Sequence, residues 1–347
     1  MNANAPPLVS IVMPVYNGAA FLADAIRSVL AQTYQHFDLT IVNNCSTDGT
    51  LAIAEEFASR DSRIRIRDNR EFLTVVDNHN RAFTLISPDA KYCKILGADD
   101  WLFPNYLTEL IGVAEAHPTV GMVTSYVLCG TRIGWAGLPY PSIFLPGREV
   151  CRMRLLHGLK VFGGPSASLL RASVVREQQP FYTPGNYHGD TAAYLNLLQR
   201  YDFGFVHQVL SFNRKDEESR TTAYLTRVNS YLLADVDELT RFGPIYLTEA
   251  ETALRLSAAT QHYYRFLARS VLELRGREFW QYHVDHARIM GYSVSYGRLA
   301  RYVVYEIADL ILNPKRTVEG VWRRIRRPPP RLSRPTLAAG SPRPTTD

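Results

Sequence analysis

The 347-residue sequence has only four cysteines, Cys45, Cys93, Cys129 and Cys151, widely separated and without a CxxC pair. That spacing suggests neither a zinc site nor a disulfide framework, and lone thiols suit a reducing cytosol. No window reaches the roughly 18 uncharged apolar residues of a membrane span. Met1 to Pro7 lacks a basic stretch followed by an apolar one, so secretion and membrane insertion are not expected. A basic face on the body of the chain is also missing. The formal charge of +6 comes from residues 315 to 347, where nine Lys and Arg stand against two Asp and Glu, leaving 30 against 31 in residues 1 to 314. A nucleic-acid groove needs basic residues spread over the fold, so no nucleic-acid partner is expected. What is present, 46% hydrophobic residues over this length, suffices for one large core or two smaller ones.

From Val9 to about Tyr126, short apolar runs alternate with helix-period segments, a βαβα pattern that predicts a mainly parallel sheet with flanking helices. Leu8 to Pro14 reads as the first strand. Phe21, Leu22, Ala25, Ile26, Val29 and Leu30 recur at spacings of three and four, giving a helix that opens after Asn17-Gly18. Strands follow at Leu39 to Val42, Ile64 to Ile66 and Tyr92 to Leu96, and helices at Asp48 to Ala58, begun by a capping Asp, and Val75 to Ile86. The Tyr92 strand runs into Gly97-Ala98-Asp99-Asp100, and Pro104 is placed in the first turn of the next helix. Residues 127 to 215 are less regular, with Gly/Pro-rich loops around Gly130 to Pro146 and at Gly163-Gly164-Pro165. Helical patterns dominate from Ala223, including an amphipathic run at Leu299 to Leu312. Residues 328 to 347, with six prolines, read as disordered.

Three polar clusters fall at strand ends, where open parallel sheets bind ligands. Asp99 and Asp100 close a buried strand, and adjacent carboxylates there can hold a hard divalent cation, although acidic pairs are also common solvated turns. Asn43-Asn44-Cys45-Ser46-Thr47-Asp48-Gly49-Thr50 joins a strand to a helix. Its Ser, Thr and Asp satisfy orphan amides, and its carboxamides also suit the edge of a nucleobase. Pro14-Val15-Tyr16-Asn17 leaves the sheet in a turn that offers an aromatic ring to a base or ribose.

These segments, in this order, resemble the family 2 glycosyltransferases, which have the glycosyltransferase A fold. The resemblance covers about residues 8 to 215. It implies an α/β fold with a nucleotide-sugar half at about 8 to 126 and an acceptor half at about 127 to 215. A catalytic domain over 1 to 222 would precede a helical region at 223 to 327 and a Pro/Arg-rich tail at 328 to 347. The resemblance places Pro14, Tyr16, Asn17, Ser46 and Asp48 in the nucleotide pocket, along with Asn43 and Asn44, where the family often has two carboxylates. Asp99 would be the metal-binding member of the DxD motif, with Mn or Mg as the cation. Gly97 replaces the motif's first acid, so contacts made from that position must come from elsewhere, such as Asp100. Base identity cannot be carried over to Asn43 and Asn44, and a UDP-sugar is the leading donor.

By the same resemblance Asp190, in Tyr187-His188-Gly189-Asp190, is the general base on the acceptor hydroxyl; the competing role is capping the helix that it opens. Gly164, Pro165 and Ser166 would form the acceptor-side loop. Arg214 would approach the diphosphate, or else be a surface charge. Trp101 would stack on a sugar, or else be core. His79-Asn80 stands where an Arg-Asn pair is common. The implied reaction is inverting transfer from a nucleoside-diphosphate sugar to a glycan or lipid-linked acceptor in surface polysaccharide or glycolipid assembly. A nucleotidyltransferase would want a basic Gly-rich loop where Tyr16-Asn17-Gly18-Ala19 stands, whereas a non-catalytic nucleotide-sugar-binding subunit would tolerate Gly97. The helix at 299 to 312, followed by Arg323, Arg324, Arg326 and Arg327, could lie on an anionic membrane surface or pack on the catalytic domain. The expected location is cytoplasmic, with peripheral contact at the inner membrane face.

Overall fold

A computed structural model describes residues 5–134, 137–214 and 220–313. Its first half alternates strand and helix: β1 (Val9–Val15), α1 (Leu22–Leu30), β2 (Phe37–Asn43), α2 (Thr50–Arg60), β3 (Ile64–Asp68), α3 (Val75–Phe83) and β4 (Tyr92–Ile95). Every residue of β1 is buried, as a strand covered by helices on both faces requires. Helix α1 buries Leu22, Ala25, Ile26 and Val29 on one side, and α3 begins where the Thr74 hydroxyl accepts the Asp77 amide at 3.2 Å.

The chain continues through β5 (Trp101–Leu102), α4 (Tyr106–Ala116), β6 (Val120–Cys129), β7 (Arg132–Gly134), β8 (Phe144–Leu145), α5 (Gly147–His157) and β9 (Ser168–Arg171). Then come α6 (Ala172–Glu177), α7 (Gly189–Leu197), β10 (Asp202–Asn213), α8 (Arg220–Val228), α9 (Tyr231–Tyr246), α10 (Glu249–Leu272), α11 (Arg277–Ile289) and α12 (Tyr296–Leu312). Two sequence expectations shift. Helix α2 starts at Thr50, two residues late, yet Asp48 still receives the Thr50 amide at 2.9 Å. Pro104 lies ahead of α4 rather than in its first turn, because its carbonyl accepts the Thr33 amide at 2.9 Å and Asn105 is the cap.

The strands form one sheet in the order β3-β2-β1-β4-β9-β6-β10-β5, with β7 on β6 and β8 on β10. From β3 to β4 all pairings are parallel. Beyond β4 the sheet is mixed: β9 runs antiparallel to β4 and β6, while β6 and β10 are parallel. This topology brings the carboxyl ends of β1, β2 and β4 to one edge, where the polar clusters lie.

The described residues fall into two compact units, one drawn from Met1–Tyr264 and Arg275–Val294, the other from Arg265–Leu274 and from Ser295 onward. The first unit keeps α8, α9, α11 and most of α10. Within it Arg152 forms an ion pair with Glu251, and Arg154 pairs with Glu238 at 2.7 Å, joining α5 to α9 and α10. In the second unit Arg269 meets the buried Glu306 at 2.9 Å. Much of α12's apolar surface, including Val304, Ile307, Leu310, Ile311 and Leu312, is exposed. Among the described residues no helix is long and apolar enough to cross a membrane. The tail at 328–347 and the arginines at 323, 324, 326 and 327 lie outside the described residues.

Candidate active site

Two loops at the carboxyl edge are latched together. Asn17 adopts a left-handed φ of 50°, its amide donates to Ser46 Oγ at 2.9 Å, and its Oδ1 accepts the Thr47 amide at 2.8 Å. Asp48 takes the Ala19 amide at 3.1 Å on Oδ2, and both the amide and the hydroxyl of Thr50 on Oδ1. Burial opposes its ionisation, but bonds from the Thr50 hydroxyl and the Thr50 and Ala19 amides outweigh burial and hold its pKa below the ordinary value. Ser46 and Asp48 therefore hold the loop of Asn17 and Ala19 in place.

Asn43 and Asn44 are buried, and the protein uses their carboxamides. Asn43 donates to Asp68 at 2.7 Å, and Asn44 bonds the Leu73 carbonyl and amide and the Asn69 side chain at 2.9–3.0 Å. Two rings are exposed at this end: Tyr16 meets Phe72 edge-on with centroids 4.8 Å apart. Sequence reasoning missed Phe72, whose signal was an aromatic residue inside a polar loop. It also left Asn80 open. The Asn80 carboxamide exchanges two 2.8 Å bonds with the backbone of Tyr182 and ties α3 to the loop before α7.

The acid motif follows β4. Asp100 is buried, accepting the Asn213 carboxamide at 2.8 Å and the Arg214 amide at 3.0 Å. Burial, then the Asp99 charge, pushes its pKa up to about 7, against the Ser166 hydroxyl, the Arg214 amide and Lys94. A Cβ added at Gly97 would lie 3.0 Å from Asp99 Oδ1 and 3.1 Å from Asp100 Oδ2. The missing side chain thus leaves a cradle lined by two carboxylate oxygens. Asp99 and Asp100 are the hard oxygen donors that a divalent cation takes, and a cation would offset the Asp99 charge, which adds to burial in raising Asp100. No group of three or more His, Cys, Asp or Glu gathers for a metal among the described residues. Two carboxylates would be the protein's share, with phosphate and water completing the shell.

Arg214 and Trp101 flank this cradle. The Arg214 guanidinium lies 4.0 Å from the Phe21 ring centre and 5.7 Å from that of Trp101, and Trp101 stacks on Phe212 at 3.8 Å. The Trp101 ring is thus engaged by protein on β10. Beneath the acids lies Lys94, fully buried, which sequence reasoning also missed. Its ammonium donates to the carbonyls of Ser166 and, at 3.3 Å, Ser168, and sits 4.8 Å from the Tyr106 ring centre. Burial lowers its pKa well below the ordinary lysine value, against the pull of Asp100 and Cys93.

The Lys94 bonds position the Pro165–Ala167 turn, which reaches both halves of the site. Gly164 precedes the turn, Pro165 opens it, and Ser166 points inward, accepting the Gly97 amide at 2.9 Å. Two residues on, the Ser168 hydroxyl meets Tyr194 Oη at 3.0 Å. Burial, then the Asp190 charge, raises the Tyr194 pKa, which places that carboxylate beside it. Asp190 is half-buried in the first turn of α7, and its Oδ1 accepts the Thr191 amide at 2.8 Å. Burial raises its pKa above the ordinary carboxylate value, against the Thr191 amide and Arg154.

Residues 10–178 match the model of glycosyl transferase family 2. An uncharacterized glycosyltransferase of Rickettsia typhi is 48% identical over 233 residues, covering 65% of this chain and 69% of that protein. The chain belongs to glycosyltransferase family 2. It spans about half the length of other curated relatives of the family, 55% and 54% in two of them. Two solved structures show the glycosyltransferase A fold expected of a family 2 chain. Staphylococcus aureus TarS 1–349 in complex with UDP-GlcNAc is similar at a TM-score of 0.59 and 15% identity, over 91% of each chain. A Pyrobaculum calidifontis mannosyltransferase in complex with GDP-Man and Mn2+ gives 0.53 and 15%, over 89% of this chain and 88% of that one.

Proposed function

We propose that the chain is an inverting glycosyltransferase that moves a sugar from a nucleoside-diphosphate sugar, with UDP-sugar as the leading donor, to a hydroxyl of a glycan or lipid-linked acceptor. One observation carries this reading. The Pro165–Ser168 segment touches the Asp99–Asp100 motif through Ser166 and, through Ser168 and Tyr194, the surroundings of Asp190. A donor-side acid pair and an acceptor-side base are thus held on one short support.

In this reading Tyr16 and Phe72 flank the base, and Pro14 and Asn17 form the wall of the nucleotide pocket. Arg214 lies toward the diphosphate, and Asp99 and Asp100 hold a divalent cation, which when bound neutralises phosphate charge. Asp190 takes the proton of the acceptor hydroxyl as that oxygen bonds to the anomeric carbon. The bond from that carbon to the diphosphate oxygen breaks, and its electron pair leaves with the nucleoside diphosphate. One displacement inverts the anomeric centre. The raised pKa of Asp190 supports the role, since a more basic carboxylate accepts a proton more readily.

The exposed apolar face of α12, followed in sequence by four arginines, supports peripheral contact with an anionic membrane on the cytoplasmic side. A surface polysaccharide or glycolipid acceptor suits that location. The donor reading is tested by thermal denaturation with UDP or GDP, each with and without Mn2+. A nucleotide at a hundred times its Kd adds about 2.7 kcal/mol of stability. UDP is expected to raise the midpoint more with Mn2+ than without, and Asp99→Asn to abolish that increment. An Asp99→Asn protein with the same Mn2+ increment would overturn the assignment.

A further inference from the structure

The matched family segment ends at residue 178, yet the region before Asp190 is completed by helices far beyond it. Tyr187 stacks on His286 of α11 with centroids 5.5 Å apart, and His286 on Tyr282 at 3.9 Å. Tyr224 of α8 meets the edges of Tyr187 and Tyr282. On the other side His188 is held by Ser230 Oγ at 2.9 Å and lies 4.8 Å from the ring of Tyr231, the first residue of α9. All of these residues belong to the first compact unit. Two of the rings remain open to solvent, Tyr187 at 37% exposure and Tyr231 at 60%. Burial, then the Asp190 charge, raises the Tyr231 hydroxyl pKa, so this ring stands within the field of that carboxylate.

The patch carries little free charge. Burial lowers the His188 pKa to about 4, with Arg154 and His286 acting the same way, and burial also lowers His286, so both imidazoles are neutral at pH 7. Arg227, over the Tyr224 ring, pairs with Glu278 at 2.6 Å, and Arg154 pairs with Glu238 at 2.7 Å. Flat rings with polar tips, fixed by neighbours and without net charge, match the C–H face and hydroxyl rim of an uncharged pyranose. A uronic acid or phosphosugar would find no unpaired cation among these residues.

We propose that Tyr187 and Tyr231 form an acceptor subsite that stacks a neutral pyranose and presents its hydroxyl to Asp190. The proposal rests on the reading of Asp190 as the base. It assigns acceptor recognition to the helices after residue 220, leaving the donor apparatus to the sheet.

The test is saturation-transfer difference NMR on the full chain with methyl β-glucopyranoside, methyl α-mannopyranoside, N-acetylglucosamine and glucuronate in large molar excess, in the presence of UDP and Mn2+. At least one neutral probe is expected to receive saturation at its ring C–H protons, and glucuronate none. Tyr187→Ala and Tyr231→Ala are each expected to weaken that binding about three- to tenfold, the scale of one lost aromatic contact. Both variants should keep the thermal shift given by UDP and Mn2+, which verifies the fold. Asp190→Asn should keep the glycoside signal while losing transfer. Full transfer activity in Asp190→Asn would sink the base reading alone, because the glycoside signal is read separately. Glycoside binding that is absent, equal for glucuronate or unchanged in both tyrosine variants would overturn the subsite. Loss of the uridine signals in Tyr231→Ala would overturn it too, by assigning the patch to the donor.

Discussion

Replacing Asp190 by Asn separates the proposed catalytic role from a structural one because the two predict opposite effects. As a structural residue, Asp190 contributes an acceptor for the Thr191 amide at 2.8 Å, a bond worth about 0.5–1.5 kcal/mol. The carbonyl oxygen of Asn can accept the same amide. The charge itself works against stability, since burial raises the folded pKa above the unfolded value. A carboxyl shifted in that direction binds more protons folded than unfolded. Stability therefore falls as pH rises from the unfolded pKa through the folded one, and the whole penalty is present at pH 7 if that pH lies above both. Asp190→Asn removes the penalty and keeps the bond, so its thermal midpoint should equal or exceed that of the parent. As a base, Asp190 contributes about two to four orders of magnitude in rate, or about 2.7–5.5 kcal/mol of barrier. Transfer should fall by that factor while nucleotide binding is unchanged. In the parent chain, transfer should decline on acidification with an apparent pKa above the ordinary carboxylate value. The assays are product formation against pH and differential scanning calorimetry of both proteins. A variant that loses stability and activity together, or keeps activity, would refute the reasoning.

Lys94→Met should lower stability by about 1–3 kcal/mol in urea unfolding, since the carbonyls of Ser166 and Ser168 lose their donor. It should also loosen Mn2+-dependent nucleotide binding, and unchanged values for both would show that the buried ammonium adds nothing to the site. The full chain should sediment with anionic liposomes at low salt and release at high salt, four arginines contributing about 1 kcal/mol each. A chain ending at Asn313 should bind less. Equal binding, or none, would exclude the arginine-rich segment as an anchor.

The first half of the fold was legible because its strands are mainly apolar or, in β3, alternate Ile with Arg, and its helices are amphipathic, so period and turn residues marked β1 to β4 within a few positions. The second half hid its longest strand. In β10 the pairing with β6 slips between Val206 and Val209 and again before Ser211, and such irregularities break the alternation that marks a strand. The acid motif and Asp190 stood out by position and resemblance. What their neighbours do was not legible: Asn43 and Asn44 read as groups able to meet a base, but their bonds depend on Asp68, Asn69 and Leu73, whose nearness only the fold creates. The Asn80–Tyr182 clasp spans 102 positions. Lys94 did leave a trace, as a charged residue inside an apolar run.

Under the proposed donor reading, the latch between the first two loops bears on how fast a nucleotide is captured. Loops beside a binding site commonly lose conformational freedom when a ligand arrives, and that ordering subtracts from affinity and slows association. Here Asn17 is held at its amide and its side-chain oxygen, and both carboxylate oxygens of Asp48 are engaged, all by the protein itself. This wall has already given up its entropy on folding. Association there is expected to need no loop closure, so differences among nucleotides should appear chiefly as differences in residence time.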